Sequence, residues 1–368
     1  MKNNIYSILL LLCTITISTV SCKKDKTNAE TSEIQISAGH IHTLVLKPDN
    51  SLWACGSNGD GELGDGTTIH RNSLLKITDG IKAISAGFVY TLVLKTDNSL
   101  WACGRNTYGQ FGDGTKTDRI SLVKIADGIK SISTGTYHTL VLKTDNSLWA
   151  CGNNNNGQLG DGTTTDRISL VKIADGIKAV SAGIYHTLVL KTDNSLWACG
   201  RNSYGQLGDG TTTDRNSLVK IADGIKTISA GGNHTLVLKT DNSLWACGFN
   251  GFGQLGDGTT INRNSLVKIA DEIKDISAGG NHTLVLKTDN SLWACGFNIF
   301  GQLGDGTTTD RNSFVKIADG IKTICAGNSH TFVLKTDNSL WACGRNDYGQ
   351  LGDGSTTNRN SLVSVFLP

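Results

Sequence analysis

The chain is poor in proline, with 2 among 368 residues, and it has almost no surplus of charge, since 34 basic residues stand against 32 acidic ones. So little proline excludes a proline-rich linker or stalk. A formal net charge of +2 excludes a strong long-range field, so neither nucleic acid nor an anionic membrane surface is expected as a partner. Beyond Val20 no apolar run approaches the length of a membrane-spanning helix. The constellations that carry chemistry are missing too: no nucleophile stands out beside a base, no pair of carboxylates is singled out, and no glycine-rich phosphate loop follows a strand. What the chain does hold in quantity is glycine, 44 residues, which suits tight turns between short strands and points to an all-β class.

Length alone suggests about two domains at ~150 residues each. An internal repeat overrules that count. Every tryptophan falls on a 48-residue period, at Trp53, Trp101, Trp149, Trp197, Trp245, Trp293 and Trp341, and a period of this size marks a repeat architecture. Around six of them the decapeptide KTDNSLWACG is identical, and the first copy differs only by Pro48 in place of threonine. In the second copy Ser73 to Ile77, Ile81 to Ser85, Thr91 to Lys95 and Ser99 to Cys103 read as four antiparallel strands. Thr78-Asp79-Gly80 joins the first pair and Thr96-Asp97-Asn98 the last, with residues that tolerate the positive φ of tight turns. Glu272 takes the glycine place in one copy, so that turn does not strictly need glycine. The first repeat starts at Ile34 without its leading SLVKI-type strand, and Ser361 to Phe366 supply such a strand with no repeat after it. The expected fold is therefore a seven-bladed β-propeller over 34–368, its ring closed by the C-terminal strand completing the first blade.

Residues 1–21 read as a signal peptide, with Lys2 as the positive region, Ile5 to Val20 as the apolar run and Ser21 before Cys22. This end resembles the lipobox of bacterial lipoproteins, although Thr19 stands where leucine is usual. The resemblance implies acylation of Cys22, which would become the mature N-terminus, and a place in the bacterial cell envelope with the lipid as the sole membrane attachment. Lys23 to Glu33 is polar, so 22–33 is expected to be a lipidated cysteine and flexible tether.

The repeat, with a glycine followed by HTLVL, then LWACG and GQLGDG, resembles the regulator-of-chromosome-condensation repeat family. GQLGDG stands at Gly157 to Gly162, Gly205 to Gly210, Gly253 to Gly258, Gly301 to Gly306 and Gly349 to Gly354, with GELGDG at Gly61 to Gly66 and GQFGDG at Gly109 to Gly114. The resemblance covers Ile34 to Pro368 and implies the propeller fold. For function it implies guanine-nucleotide exchange on a small GTPase, as in the eukaryotic founder, or inhibition of an enzyme by a secreted propeller. One fold hosts many activities.

Comparison of the seven copies with one another shows where they differ. One cluster, between SAG and HTLVL, includes Phe88, Tyr90, Tyr137 and Tyr185; the other, after LWACG, includes Arg105, Tyr108, Arg201, Tyr204, Phe249, Phe252, Phe297, Phe300, Arg345 and Tyr348. Antiparallel connectivity puts both clusters at the same end of each blade and the near-invariant Asp-Gly and Asp-Asn turns at the other. Arginine among aromatic rings is the composition of binding hot spots, so these residues form the candidate binding face.

Repeated cysteines at Cys55, Cys103, Cys151, Cys199, Cys247, Cys295 and Cys343 read as small buried hydrophobes, because packed sheets lie ~10 Å apart and a disulfide needs β-carbons within ~4 Å. Cys325, unique to the seventh copy, is the one thiol placed to meet another, Cys343. The recurring histidines at His42, His138, His186, His234, His282 and His330 read as one structural hydrogen bond per blade. No metal, cofactor or catalytic residue is assigned. The expected function is that of a monomeric binding scaffold rather than an enzyme, with a protein or glycan outside the cytoplasm as its partner.

Overall fold

The computed structural model describes residues 33–368, which form strands, turns and loops without a helix. Cys22 and the signal segment lie outside the described residues. The first blade is β1 (Gln35–Ala38), β2 (His42–Leu46), β3 (Leu52–Gly56) and β4 (Arg71–Thr78), each hydrogen-bonded to the next. The second is β5 (Ile81–Ala86), β6 (Tyr90–Lys95), β7 (Leu100–Gly104) and β8 (Arg119–Ala126). Five more four-stranded antiparallel sheets follow, making a seven-bladed propeller.

Alternation of side chains gives each blade two buried faces. Leu44, Leu46, Leu52, Ala54 and Leu63 of the first blade pack on Ile81, Ile84 and Val93 of the second, with Trp101 and Leu122 closing the layer. Similar layers recur around the ring, so the core lies between blades. At the turn end, Trp101 Nε1–H donates to Ser99 Oγ (2.8 Å), whose own proton goes to Asp97 (2.6 Å), and Lys95 lies 3.7 Å over the indole. Asn98 there takes φ +69°, a conformation asparagine tolerates better than most residues. This network of Asp97, Ser99 and Trp101 accounts for the uniformity of DNSLW.

Two expectations about strand partnership are corrected. The SLLKI segment lies in β4 and pairs with β3 of the preceding repeat, Trp53 opposite Lys76 and Ala54 opposite Leu75, rather than with Ile81 to Ser85. Thr78-Asp79-Gly80 is accordingly a crossing between blades. Ile81 N–H donates to Asn50 O and Thr96 N–H to Gly80 O, which holds the crossing against the Asp-Asn turns of both neighbours. The same shift of phase applies at the end of the chain. The last strand, Arg359–Val365, pairs with Leu340–Gly344 of its own seventh blade and does not complete the first, which already has four strands. Closure needs no exchanged strand. Thr43 Oγ1 donates to Gln350 O (2.8 Å), Asn328 N–H to Gly39 O (3.0 Å), Asp353 bridges to Ser73, and Ile36 and Val45 share a core with Phe332 and Leu334. The seventh interface thus repeats the contacts of the other six, in which each GDG loop reaches the outer strand of the next blade.

Candidate functional site

The loop from the third to the fourth strand of each blade is built on one buried asparagine. In the second blade Asn106 Oδ1 accepts the Phe111 N–H (3.0 Å), its amide donates to Thr115 O (3.1 Å), and its own N–H is held by Asp118 (2.6 Å). Gln110 Oε1 accepts the Tyr108 N–H (3.0 Å). Further along, Arg167 and Thr163 bond to Asp161 (2.7 Å each). Burial opposes ionisation there, but these hydrogen bonds hold the Asp161 carboxyl below its usual range. The hub fixes the backbone, and the residues at positions 105, 107 and 108 and their equivalents are displayed around it. The loop between the first two strands emerges at the same end: Arg105 N–H donates to Val89 O (2.9 Å) and Phe249 N–H to Asn233 O (2.8 Å).

On this end the half-buried rings touch from blade to blade. His40 stacks on Phe88 at 3.9 Å, Phe88 meets Tyr137 at 5.6 Å, and Tyr137 meets Tyr108 at 4.9 Å. A longer arc runs from Tyr204 to Phe249 (4.9 Å), Phe252 (5.8 Å), Phe297 (4.7 Å) and Phe300 (6.2 Å). Arg201 lies over Tyr204 at 5.5 Å and Tyr185 at 5.9 Å at one end, and Arg345 over Phe300 at 5.2 Å at the other. Arg201 Nε donates to Ser203 Oγ and Arg345 Nε to Asp347, while Arg105 Nε donates to Thr107 Oγ1 (3.0 Å). Tyr348 meets His70 edge-on at 5.2 Å. Thirteen of the fourteen sequence-derived residues of this face are therefore brought to one end of the ring.

Tyr90 is the exception. It is 0% exposed and stands at the histidine position of the repeat, its hydroxyl donating to His138 O (2.6 Å). It belongs to the interior because it spans the same interblade gap that imidazole spans elsewhere. His138 Nε2 lies 3.1 Å from Thr187 Oγ1, whose single proton goes to Gln158 O (2.7 Å). The hydroxyl must therefore accept from imidazole, which assigns the proton to Nε2. The same pair recurs from His42 to Thr91 and on to His330 with Thr43, a belt closed across the chain ends. Burial lowers the pKa of His138 to about 3 and of His186 to about 4, so these rings are neutral. The cysteines lie beneath: all eight described thiols are free and buried, Cys103 Sγ faces Glu62 O, and burial pushes Cys199 up to about 12. Cys325 faces Ile36 O of the first blade rather than Cys343.

Sequence reasoning missed several members of the face. Ile261 and Ile299 are 62% and 58% exposed, and His40 and His70 pack on Phe88 and Tyr348. Ile299 sits between Phe297 and Phe300 in a cluster already marked as variable, so comparison of the copies carried that signal.

The RCC1-like domain matches residues 15–270, and regulator of chromosome condensation (RCC1) repeats match 273–302 and 321–350 and, in a second description, 289–334 and 337–368. No curated protein matches the chain. Among solved structures, human WBSCR16 is similar at a TM-score of 0.79 and 20% identity, over 86% of this chain and 94% of that one. Prp20p from Saccharomyces cerevisiae is similar at 0.72 and 20%, over 80% of each chain. The structure of Kap60 bound to yeast RCC1 (Prp20) matches at 0.78 and 19%, over 94% and 89%. At such identities these structures speak for the fold alone. With the domain match spanning well over half the sequence and the seven-bladed ring in place, the chain belongs to the RCC1-like domain family.

Proposed function

We propose that this chain is an exported propeller, anchored through an acylated Cys22, whose variable face docks a protein partner outside the cytoplasm. The observation that carries the reading is the unbroken arc from Tyr204 through Phe249, Phe252 and Phe297 to Phe300, flanked by Arg201 and Arg345. Four phenylalanines in two adjacent blades, with the exposed Ile299 between Phe297 and Phe300 in the chain, form an apolar centre with an arginine and tyrosine rim. That is the anatomy of a protein interface, in which a few aromatic and arginine anchors dominate affinity. Prp20p, described with its binding to Gsp1p and histones, supports a protein ligand for a propeller of this kind. Export is supported by Lys2, the Ile5 to Val20 run and the Ser21-Cys22 junction.

The test is capture of partners from envelope and medium extracts by the immobilised chain and by a variant with Phe249, Phe252, Phe297 and Phe300 changed to alanine, each shown to be folded. A partner held by the native chain and lost by the variant supports the arc as the docking centre. Equal capture by both moves docking off the arc. A GTP-binding protein in the captured set favours the exchange-factor reading, and a secreted hydrolase the inhibitor reading.

A further inference from the structure

The ring of loop aromatics is broken at two blades, and at one of them the break leaves a cavity. In the second and seventh blades the loop ring packs on a ring of the next blade. Tyr108 meets Tyr137 of the next blade's inner loop (4.9 Å), and Tyr348 meets His70 at the start of the next blade's outer strand (5.2 Å). In the third blade the equivalent residue is Asn156, and its two neighbours by the 48-residue repeat are Tyr185 and Asp214. Asparagine vacates the volume a tyrosine would fill. The result is a crevice of about 440 Å³ lined by Asn155, Asn156, Thr164, Asp214, Asn216 and Ser217 together with Arg215 and Val219, within the ~300–1,000 Å³ of small-ligand sites. The other break, Asp60 in the first blade, has its carboxylate beside Glu62 and Arg105 and opposite Val89 in place of a tyrosine.

The chemistry of the lining is specific. The side chains of Asn155, Asn156 and Thr164 make no hydrogen bond among the described residues, although the Asn156 N–H is held by Gln158 (3.0 Å). Asn216 is oriented by its amide bond to Gly162 O (3.0 Å), Ser217 Oγ donates to its Oδ1 (3.4 Å), and Asp214 Oδ1 accepts the Asn202 N–H (2.7 Å). The one cation of the lining, Arg215, is held by Asp209 at 2.8 Å, so the crevice offers an anion no unpaired charge. Amides and hydroxyls that both donate and accept suit vicinal hydroxyl groups. Tyr185, the other neighbour of Asn156 by the repeat, carries Arg201 over its ring at 5.9 Å and lies outside the lining, so the crevice is a polar one.

We propose that the gap between the third and fourth blades, from Asn155 and Asn156 to Asp214 and Asn216, is a binding site for a neutral saccharide. It stands apart from the apolar arc and does not depend on protein docking there. The full chain is examined by saturation-transfer NMR with cellohexaose, chitohexaose, maltohexaose and mannohexaose as probes, and with oligogalacturonate as an anionic comparison. At least one neutral probe is expected to bind. Asn156→Tyr, which restores the ring carried by other blades, should weaken that binding about tenfold or more, as should the paired Asn155→Ala and Thr164→Ala changes should the tyrosine variant not fold. Phe252→Ala, which disrupts the arc, should leave saccharide binding unchanged, so the two sites are separable. Failure of all four neutral probes, stronger binding of oligogalacturonate, or undiminished binding by the folded variants would overturn the proposal.

Discussion

At the turn end of each blade, a Ser-Asp pair, an indole and a lysine repeat seven times, as in Ser99, Asp97, Trp101 and Lys95. At the loop end, the asparagine hub repeats as faithfully, yet the residues beside it run from Ser57 and Asp60 to Arg201 and Tyr204 to Phe249 and Phe252. The difference teaches where this repeat tolerates change. Positions whose polar atoms complete a network are fixed, because an orphaned buried donor or acceptor is destabilising by ~1–3 kcal/mol. Positions displayed around a finished network are free to vary, and here they vary toward rings in some blades and amides in others.

That contrast can be broken first in the interior. Gly152 takes φ +100°, and a β-carbon there would lie 2.3 Å from Tyr137 O; Gly152→Ala should destabilise by about 3 kcal/mol or more in denaturant unfolding. Thr187→Val leaves the His138 Nε2–H without its partner and the Gln158 carbonyl with only the weak Cys199 thiol, with an expected loss of ~1–3 kcal/mol. Acid should act through the same belt. The buried rings have folded pKa values lowered to about 3 or 4 from 6.5, so below pH 6.5 the unfolded chain takes up protons that the folded chain refuses. Stability should be constant just above pH 7 and fall between pH 6.5 and 4, by up to ~1.4 kcal/mol per pH unit for each histidine. Tyr90→His should steepen that fall if the new ring is seated like the others.

Smaller effects sharpen the comparison. Glu272 holds φ +63° at a position where Gly80 and Gly128 have nothing within 4 Å of a built β-carbon; Glu272→Gly should therefore stabilise by about 1 kcal/mol through relief of backbone strain alone. Phe252→Ala on the loop face should lower stability by only about 1 kcal/mol, since the ring is half-buried, while reducing capture of a docked protein.

Blade number and the shared end of the variable loops were legible in the sequence because the period of 48 and antiparallel connectivity determine them. The phase of the blades was not. Two apolar runs around Asp79-Gly80 carry the signal of a hairpin, and nothing in the alternation of β4 says that its partner lies across the loop of residues 57–70. Closure by an exchanged strand followed from that phase and fell with it. Tyr90 was misplaced for the opposite reason: its equivalence to six interior histidines was visible, but its aromatic character suggested the surface. The gap at Asn156 was readable as a substitution among the copies, whereas its emptiness depends on what flanks it in the next blade.

The central claim, that the loop end rather than the turn end meets a partner, is tested most directly by photocrosslinking in intact cells. Benzoylphenylalanine is placed at Phe300 or Tyr348 on the loop face and, separately, at Thr96 or Thr192 beside the invariant turns. A discrete adduct from the loop-face positions and none from the turn positions is the predicted result; adducts from the turns alone would contradict it.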